Sequence, residues 1–287
     1  AVALAEAQAA GYNIGRHDIN FSEREFTSIN KTLIPSFASA KYCGTSAVDE
    51  IMENRPYKTI EELLLDPVSG GWRHSKFNKR SLSTLIKIGA FESMNLVGTD
   101  PHHKFKNYRQ LHHVLVDKAD DIKRASARKK NRNHLEVLEQ LILEAQSLPD
   151  WTLREKIDFS GELTGSVDQS LVMTSEIQTF LRKNGIESID EWESNRVYTW
   201  AVVTGCSLAR TKAGKPYLKL TVYGSSGESK LVYCWDYNTK KGDKPIKDYT
   251  LIMAKFNMKF DEDPDKASMI SCQYAGVETL VSRDEEE

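Results

Sequence analysis

Residues 196–236 constrain the fold more than any other stretch, because they read as three strands joined by two glycine-containing turns. Val197, Thr199, Ala201 and Val203 alternate with Tyr198, Trp200 and Val202, the period of two that sends successive side chains to opposite faces of a sheet. Arg210, Thr211, Lys212, Ala213, Gly214 and Lys215 then supply a hairpin turn carrying three cations. Tyr217, Lys219, Thr221 and Tyr223 alternate with Leu218, Leu220 and Val222, and Gly224, Ser225, Ser226 and Gly227 make the second turn. Leu231, Val232, Tyr233, Cys234 and Trp235 form the third strand. Short strands joined this tightly predict a small barrel with aromatic side chains on one face and cations at its rim.

Such a barrel, a five-stranded OB-fold over residues 192–282, holds a single nucleic-acid strand by stacking bases on aromatics above a basic groove. The expected contacts are Arg210, Lys212, Lys215 and Tyr217. Trp200, Tyr233 and Trp235 are further stacking candidates. Aromatics in strands equally serve as core or cross-strand pairs, and alternation alone does not say which face is inside.

The formal net charge of −2 excludes a polycation, so any grip on nucleic acid must come from local patches. Acid is concentrated in residues 261–265 and in an acidic tail at residues 283–287, which is expected to be solvated. Cys43, Cys206, Cys234 and Cys272 are far apart and make no CxxC pair, which argues against a zinc knuckle and a disulfide framework and for a reducing cytoplasm. No apolar run approaches the roughly 20 residues that span a bilayer, so no membrane partner is expected. The start of the chain lacks a signal-peptide pattern and an initiator Met, and Ala1 to Ala7 read as a helix already under way.

The remainder is helical in pattern. An alanine-rich helix ends at Gly11, residues 12–21 are loop or extended, and residues 37–54 show helical spacing broken at Cys43 and Gly44. Thr59 caps a short helix, with Glu62 three residues on as in a capping box. Residues 68–72 are a loop, and residues 78–89 form a helix stopped by Gly89. Residues 104–147 read as almost wholly helical and divide near residues 129–133; shorter helices cover residues 153–163 and 175–184. The whole is a two-part α+β chain, with a helical two-thirds meeting a β third near residues 192–196.

Two helical segments carry candidate phosphate contacts. In residues 37–51 one helix ends, the chain turns through Gly44, and a second helix starts at Thr45. Free N–H groups at that start, with the positive end of the helix dipole, seat a phosphate; Lys41 and the hydroxyls of Thr45 and Ser46 add to it. This is a helix-hairpin-helix pattern, which grips a backbone without reading bases. The same residues also fit an ordinary packing joint between helices. Asn78, Lys79 and Arg80 open another helix, where two cations oppose the dipole by roughly 0.3–1 kcal/mol each, a cost understandable if an anion sits there. A charged surface turn is the alternative.

Other patterns are weaker. The basic stretch in residues 104–132 fits phosphates or a solvated helix face. His102 with His103, and His112 with His113, are adjacent pairs rather than the i, i+4 spacing that metal ligation on a helix favours. Gln140 to Leu143 has the glutamine-plus-leucines look of a sliding-clamp peptide, but Leu135, Leu138, Leu141 and Ile142 equally make a buried helix face. No catalytic motif appears, and no paired carboxylates of the kind two-metal nucleotidyl transfer needs.

Taken in order, these segments resemble the C-terminal part of C-family replicative DNA polymerases, the DNA polymerase III alpha subunit of bacteria and phage. Asp18, Ile19, Asn20 and Ser22 look like one of its conserved segments. The run from Arg55 to Leu63 is similar to another. Asn78, Lys79, Arg80 and Leu82, with Leu85 to Phe91, closely match a third, Glu155 to Gly165 resembles its joint, and Arg210 to Leu220 its barrel hairpin. Tyr42 departs from the family pattern by standing where the first hairpin glycine would be, and Asp168 to Leu171 replace the usual residues after Gly165.

The resemblance implies residues 1–35 as the end of a fingers-like domain, 36–100 as the helix-hairpin-helix domain and 101–191 as a helical connector before the OB-fold. It implies a nucleotidyltransferase parent whose Mg²⁺ and catalytic residues lie elsewhere, with no cofactor in this chain. Its partners would be primer-template DNA, single-stranded DNA, a sliding clamp and the rest of the polymerase. A freestanding OB-fold protein for single-stranded RNA or DNA is the alternative; a nuclease using the histidine pairs and a clamp-docking adaptor are also open.

Overall fold

Local signals for starting and stopping helices are realised almost residue by residue in the computed structural model, which describes residues 10–127, 133–165, 168–191, 197–225, 229–259 and 269–281. The expectations for residues 1–9, 128–132, 192–196, 261–265 and 283–287 lie outside the described residues. The chain divides into two compact units, residues 10–168 and a unit that includes residues 169–281.

In the first unit, β1 (Asn13–Ile14) pairs parallel with β3 (Thr32–Ile34), which pairs antiparallel with β2 (Thr27–Ile29). Asn30 and Lys31 join β2 to β3 with both φ angles positive, the geometry of a two-residue hairpin turn. The helices are α1 (Thr45–Asn54), α2 (Ile60–Leu64), α3 (Lys79–Lys87), α4 (Tyr108–His112), α5 (Ala119–Ala127), α6 (His134–Ala145) and α7 (Leu153–Thr164), with a π-helical turn at His113–Asp117 between α4 and α5. Thr152 and Glu155 form a complete capping box on α7. Thr59 caps α2, but Glu62 returns to the N–H of Lys58 rather than to that of Thr59.

One core runs through this unit. Ile19, Phe37, Ile51, Leu63, Leu85, Phe91, Phe105 and Leu115 belong to it and are buried. The buried Asp18 carboxylate accepts from Asn20 N, Ser93 N and Ser93 Oγ at 2.8, 3.0 and 2.7 Å. Asn20 in turn binds both backbone groups of Tyr57. A buried charge is tolerable when its lone pairs are filled in this way. Residues 17–22 therefore build into the same core as α1 to α3.

Two helical expectations are corrected. The segment before Gly44 is not a helix but a single 3₁₀ turn, Phe37–Ser39. Phe37 is buried and Ser39 Oγ donates to Ser36 O at 2.7 Å, closing the turn before an α-helix can propagate. Residues 104–107 are not helical either: Phe105 bridges to Val97, and Asn107 caps the helix by accepting from Gln110 N at 2.9 Å.

The second unit holds α8 (Ser175–Lys183) and a mixed sheet. Its strands are β4 (Glu187–Ser188), β5 (Tyr198–Arg210), β6 (Pro216–Tyr223), β7 (Ser229–Trp235), β8 (Thr250–Lys255), β9 (Asn257–Lys259), β10 (Met269–Gln273) and β11 (Glu278–Val281). The order is β11-β8-β5-β6-β7-β10-β9, with β4 beside β5. β7 and β10 run parallel. Phe256 alone separates β8 from β9, so one run of chain borders β5 through β8 and β10 through β9, and the sheet curls. Inside the curl lie Ala201, Val203, Leu218, Leu220, Val222, Val232, Cys234 and Phe256. The sheet has eight strands among the described residues, not five. The additional strands β4, β9 and β11 are two to four residues long, too short for alternation to register. Among the described residues no helix is long and apolar enough to cross a membrane.

Candidate nucleic-acid interface

Two of the sequence-predicted segments meet in the first unit. The turn Lys41–Gly44 and the start of α3 are joined by Ser81 Oγ, which donates to Tyr42 O at 2.6 Å. The Arg80 guanidinium lies 3.6 Å above the centre of the Tyr42 ring, a cation–π contact. Lys41 N donates to Leu163 O at 2.8 Å, which anchors the turn to α7. Lys41, Gly44, Thr45, Ser46, Asn78, Lys79 and Arg80 are all exposed. The geometry puts three of the predicted contacts, Lys41, Gly44 and Arg80, on or beside one turn, whereas Lys79 borders a hollow lined by Trp72, Leu82, Ala119 and Asp120.

The two helix starts differ chemically. Gly44 is the N-cap of α1 and supplies no side-chain cap, and no acidic residue stands in the first turn. At α3 the Asn78 side chain accepts from both Arg80 N and Ser81 N. Upstream, the Glu50 carboxylate accepts from Ser75 N, Lys76 N and Phe77 N. Those amides are occupied by the protein itself, so α3 presents cationic side chains rather than bare N–H groups. Only the Gly44 turn keeps the arrangement expected of an anion seat.

Tyr42 holds φ at +65°, the left-handed region where glycine is at ease and other residues pay roughly 1–2 kcal/mol. Tyr42→Gly is expected to leave folding stability within about 1 kcal/mol of the parent, because relief of this strain offsets the lost ring contact, roughly 0.5–1 kcal/mol at an exposed site. Duplex affinity is expected to fall, since Arg80 loses the ring that holds it. Urea denaturation and duplex titration check the two halves; a gain in duplex affinity would contradict the role given to the ring.

In the second unit, Tyr217, Tyr233 and Trp235 form one cluster. Tyr217 lies 4.7 Å from Trp235 and 6.0 Å from Tyr233, and the rings of Tyr233 and Trp235 are 5.7 Å apart and 12° from parallel. All three are half-buried and alternate with the buried Leu218, Val232 and Cys234, so they occupy the outer face of the sheet. Lys219 stands directly opposite Tyr233 on that face. All three are stacking candidates of the sequence, and the structure groups them on one face. Trp200 lies elsewhere, opposite Met253 and beneath α8 and β4.

The turn from Arg210 to Pro216 projects as expected, with Gly214 at φ +77° and Lys212 and Lys215 exposed. Arg210 Nη1 donates to Gly214 O at 3.0 Å, so this residue braces the turn as well as carrying charge. A second basic loop was overlooked in the sequence. Lys240, Lys241, Lys244 and Lys247 are exposed between β7 and β8, in a run that follows directly on the Trp235 end of the aromatic strand. Its signal was legible as alternating lysine, glycine and proline after an aromatic strand.

The remaining candidates are drawn into the fold. His112 bonds Ser83 Oγ at 2.8 Å and lies against Trp151; burial pulls its pKa down to about 4. His103 bonds Asn95. Among the described residues no group of three His, Cys, Asp or Glu side chains could hold a metal. Lys104 pairs with Glu61, and Arg124 with Asp121. Gln140 bonds Glu144 along α6, and Leu141 is buried while Leu143 is 66% exposed, so the clamp-like peptide is locked as a helix. All four cysteines are free thiols.

A comparison with curated proteins gives no match. Residues 11–100 match the family described as a helix-hairpin-helix motif, a span that takes in both the Gly44 turn and the start of α3 and points to nucleic-acid binding.

Proposed function

We propose that this chain is the DNA-binding C-terminal portion of a replicative polymerase of the DNA polymerase III alpha type, gripping duplex and single-stranded template without reading sequence. The observation that carries this is the Gly44 turn, uncapped and flanked by Lys41 and Arg80, inside the helix-hairpin-helix match. The second unit supports the single-strand half. Its strand order, with β7 parallel to β10 and β8 running into β9, fits an OB-fold elaborated by short strands, and its outer face carries the aromatic cluster. The collinear resemblance of Asp18 to Ser22, Asn78 to Phe91 and Arg210 to Leu220 supports the polymerase parent. Lys212, Lys215 and Tyr217 contact the single strand; Lys41, Gly44, Thr45, Ser46, Asn78, Lys79 and Arg80 hold the duplex backbone.

The test is a salt series. Each phosphate neutralised contributes about 0.9 to the slope of log K against log salt. Lys79→Ala with Arg80→Ala is expected to flatten the duplex slope by about 2 and to weaken all duplex sequences alike. An unchanged slope removes these residues from the interface. Preference for single-stranded RNA over primer-template DNA would favour the freestanding OB-fold reading instead.

A further inference from the structure

The outer face of the sheet continues beyond the aromatic cluster. Along β6, Tyr217, Lys219, Thr221 and Tyr223 share a side, opposite the buried Leu218, Leu220 and Val222. Tyr223 stands opposite Val202 on β5, with Trp200 two residues earlier on the same side. Trp200, Val202 and Tyr223 floor a cavity of about 510 Å³, walled by α8 and the segment around β4. That volume lies within the roughly 300–1,000 Å³ of small-ligand sites.

The cavity is built rather than incidental. Ser225 N donates to Ser188 Oγ at 2.7 Å and Ser225 Oγ donates to Glu191 Oε1 at 2.8 Å, tying the turn after β6 to the turn after β4. Gly224 sits where those segments touch: a β-carbon there would lie 2.2 Å from Ser188 Oγ and 2.5 Å from Asp190 Oδ2. Lys230 pairs with Asp190 at 3.1 Å just behind. A larger residue there would have to displace the Ser188 and Asp190 side chains that close the turn.

Its lining selects the part of a nucleotide that can enter. Glu187 and Glu191 repel phosphate, whereas Trp200 and Tyr223 give the lining the aromatic surface on which a base packs. Carboxylate and amide oxygens, from Glu187 and Gln178, accept hydrogen bonds from an exocyclic amine. Arg182 is the exposed cation of the lining, placed for the backbone that stays outside. Tyr217 and Tyr223 are about 20 Å apart along the strand at about 3.3 Å per residue. That path suits about six nucleotides stacked at about 3.4 Å each.

We infer that this cavity takes one unstacked base at the end of the single strand held by the aromatic cluster, and that it favours a base with an exocyclic amino group over thymine. The inference rests on the single-strand reading of the outer face. The experiment uses the full chain and oligodeoxynucleotides of about eight residues, with photoreactive 5-iodocytosine at each position in turn and the cross-linked peptides identified by mass spectrometry. Cross-links at Trp200 or Tyr223 are expected from a terminal position, and at Tyr217, Tyr233 or Trp235 from positions further along. Changing that terminal cytosine to thymine is expected to weaken binding about fivefold to tenfold, and Glu187→Ala with Gln178→Ala, which removes both acceptors, to abolish the difference while leaving the other cross-links in place. Cross-links on the aromatic cluster with none at Trp200 or Tyr223 overturn the cavity assignment and leave the single-strand reading intact. Cross-links at neither place, with no measurable binding, overturn both. Equal affinity for terminal cytosine and thymine overturns the base preference.

Discussion

Replacing Tyr217, Tyr233 and Trp235 together by alanine is expected to weaken single-stranded DNA binding by about one and a half to four orders of magnitude and to leave duplex binding within about twofold. Stacking of a base on an aromatic side chain is worth roughly 1–3 kcal/mol. Rings spaced 4.7–6.0 Å apart make a continuous platform long enough for two bases, so the loss is about 2–6 kcal/mol. The rings sit outside the curl, so the core of Leu218, Leu220 and Val232 survives their removal. The folding cost is the cross-strand contact itself, about 0.5–1.5 kcal/mol per ring pair. Fluorescence anisotropy at fixed salt reads the affinity, and a thermal melt shows that the variant is folded. A folded variant that binds single strands within about threefold of the parent would falsify the platform. Removing Lys212 and Lys215 is expected to behave differently, lowering the salt slope without changing dependence on base stacking.

Glu50→Gln is expected to destabilise the unit of residues 10–168 by about 2–4 kcal/mol, a fall of about 5–15 °C in its transition. Glu50 Oε1 accepts from Ser75 N at 2.8 Å and Ser75 Oγ at 3.2 Å, while Oε2 accepts from Lys76 N at 2.8 Å and from Phe77 N. An amide has one acceptor oxygen, so its NH₂ would face N–H donors and leave them unsatisfied. Burial raises the Glu50 pKa, but the N–H groups of Phe77, Ser75 and Lys76 together outweigh it and the net shift is downward. The sign follows. A carboxyl with a depressed folded-state pKa contributes stability that is full above its unfolded value, about 4.3, and is lost as pH falls through the folded value.

A separate limb comes from three imidazoles. Burial holds His17 and His112 down at about 4 and lowers His74. The unfolded chain takes up those protons from about pH 6.5, so stability also declines between about 6.5 and 4. Parent and variant share this upper limb and the acid limb of Glu61 and Asp66, whose pKa values are also lowered, and below about 4.5 the parent loses more stability than the variant. Urea midpoints across about pH 7 to 3 measure both; parallel curves to the lowest pH would remove Glu50 from the account. Because residues 75–77 lead directly into Asn78, the same variant is expected to loosen Lys79 and Arg80 and to weaken duplex binding.

Punctuation of the chain was legible from local chemistry. Asn78 caps α3, Thr59 caps α2, and Gly214 turns β5 into β6, because each effect needs only neighbours within a few residues. The first helix of the hairpin was misread because apolar spacing at Phe37 and Ala40 serves a 3₁₀ turn as well as a helix, and Ser39 closes the turn by a bond that spacing does not reveal. Short strands such as β4 and β9 escaped because pairing, not pattern, creates them.

By itself the sequence determined the order of elements, the alternation of β5 to β7 and the placement of cations in turns, all of which depend on residues close in the chain. Only the tertiary structure decided which face of the sheet is outside, and that α8 and the segment around β4 cover part of it, so that Tyr217, Tyr233 and Trp235 are a surface platform while Trp200 floors a cavity. It also decided that Tyr42 meets Arg80 and that Glu50 occupies the amides before Asn78. A period of two divides side chains between two faces but carries no sign; the sign comes from which face closes over the apolar core.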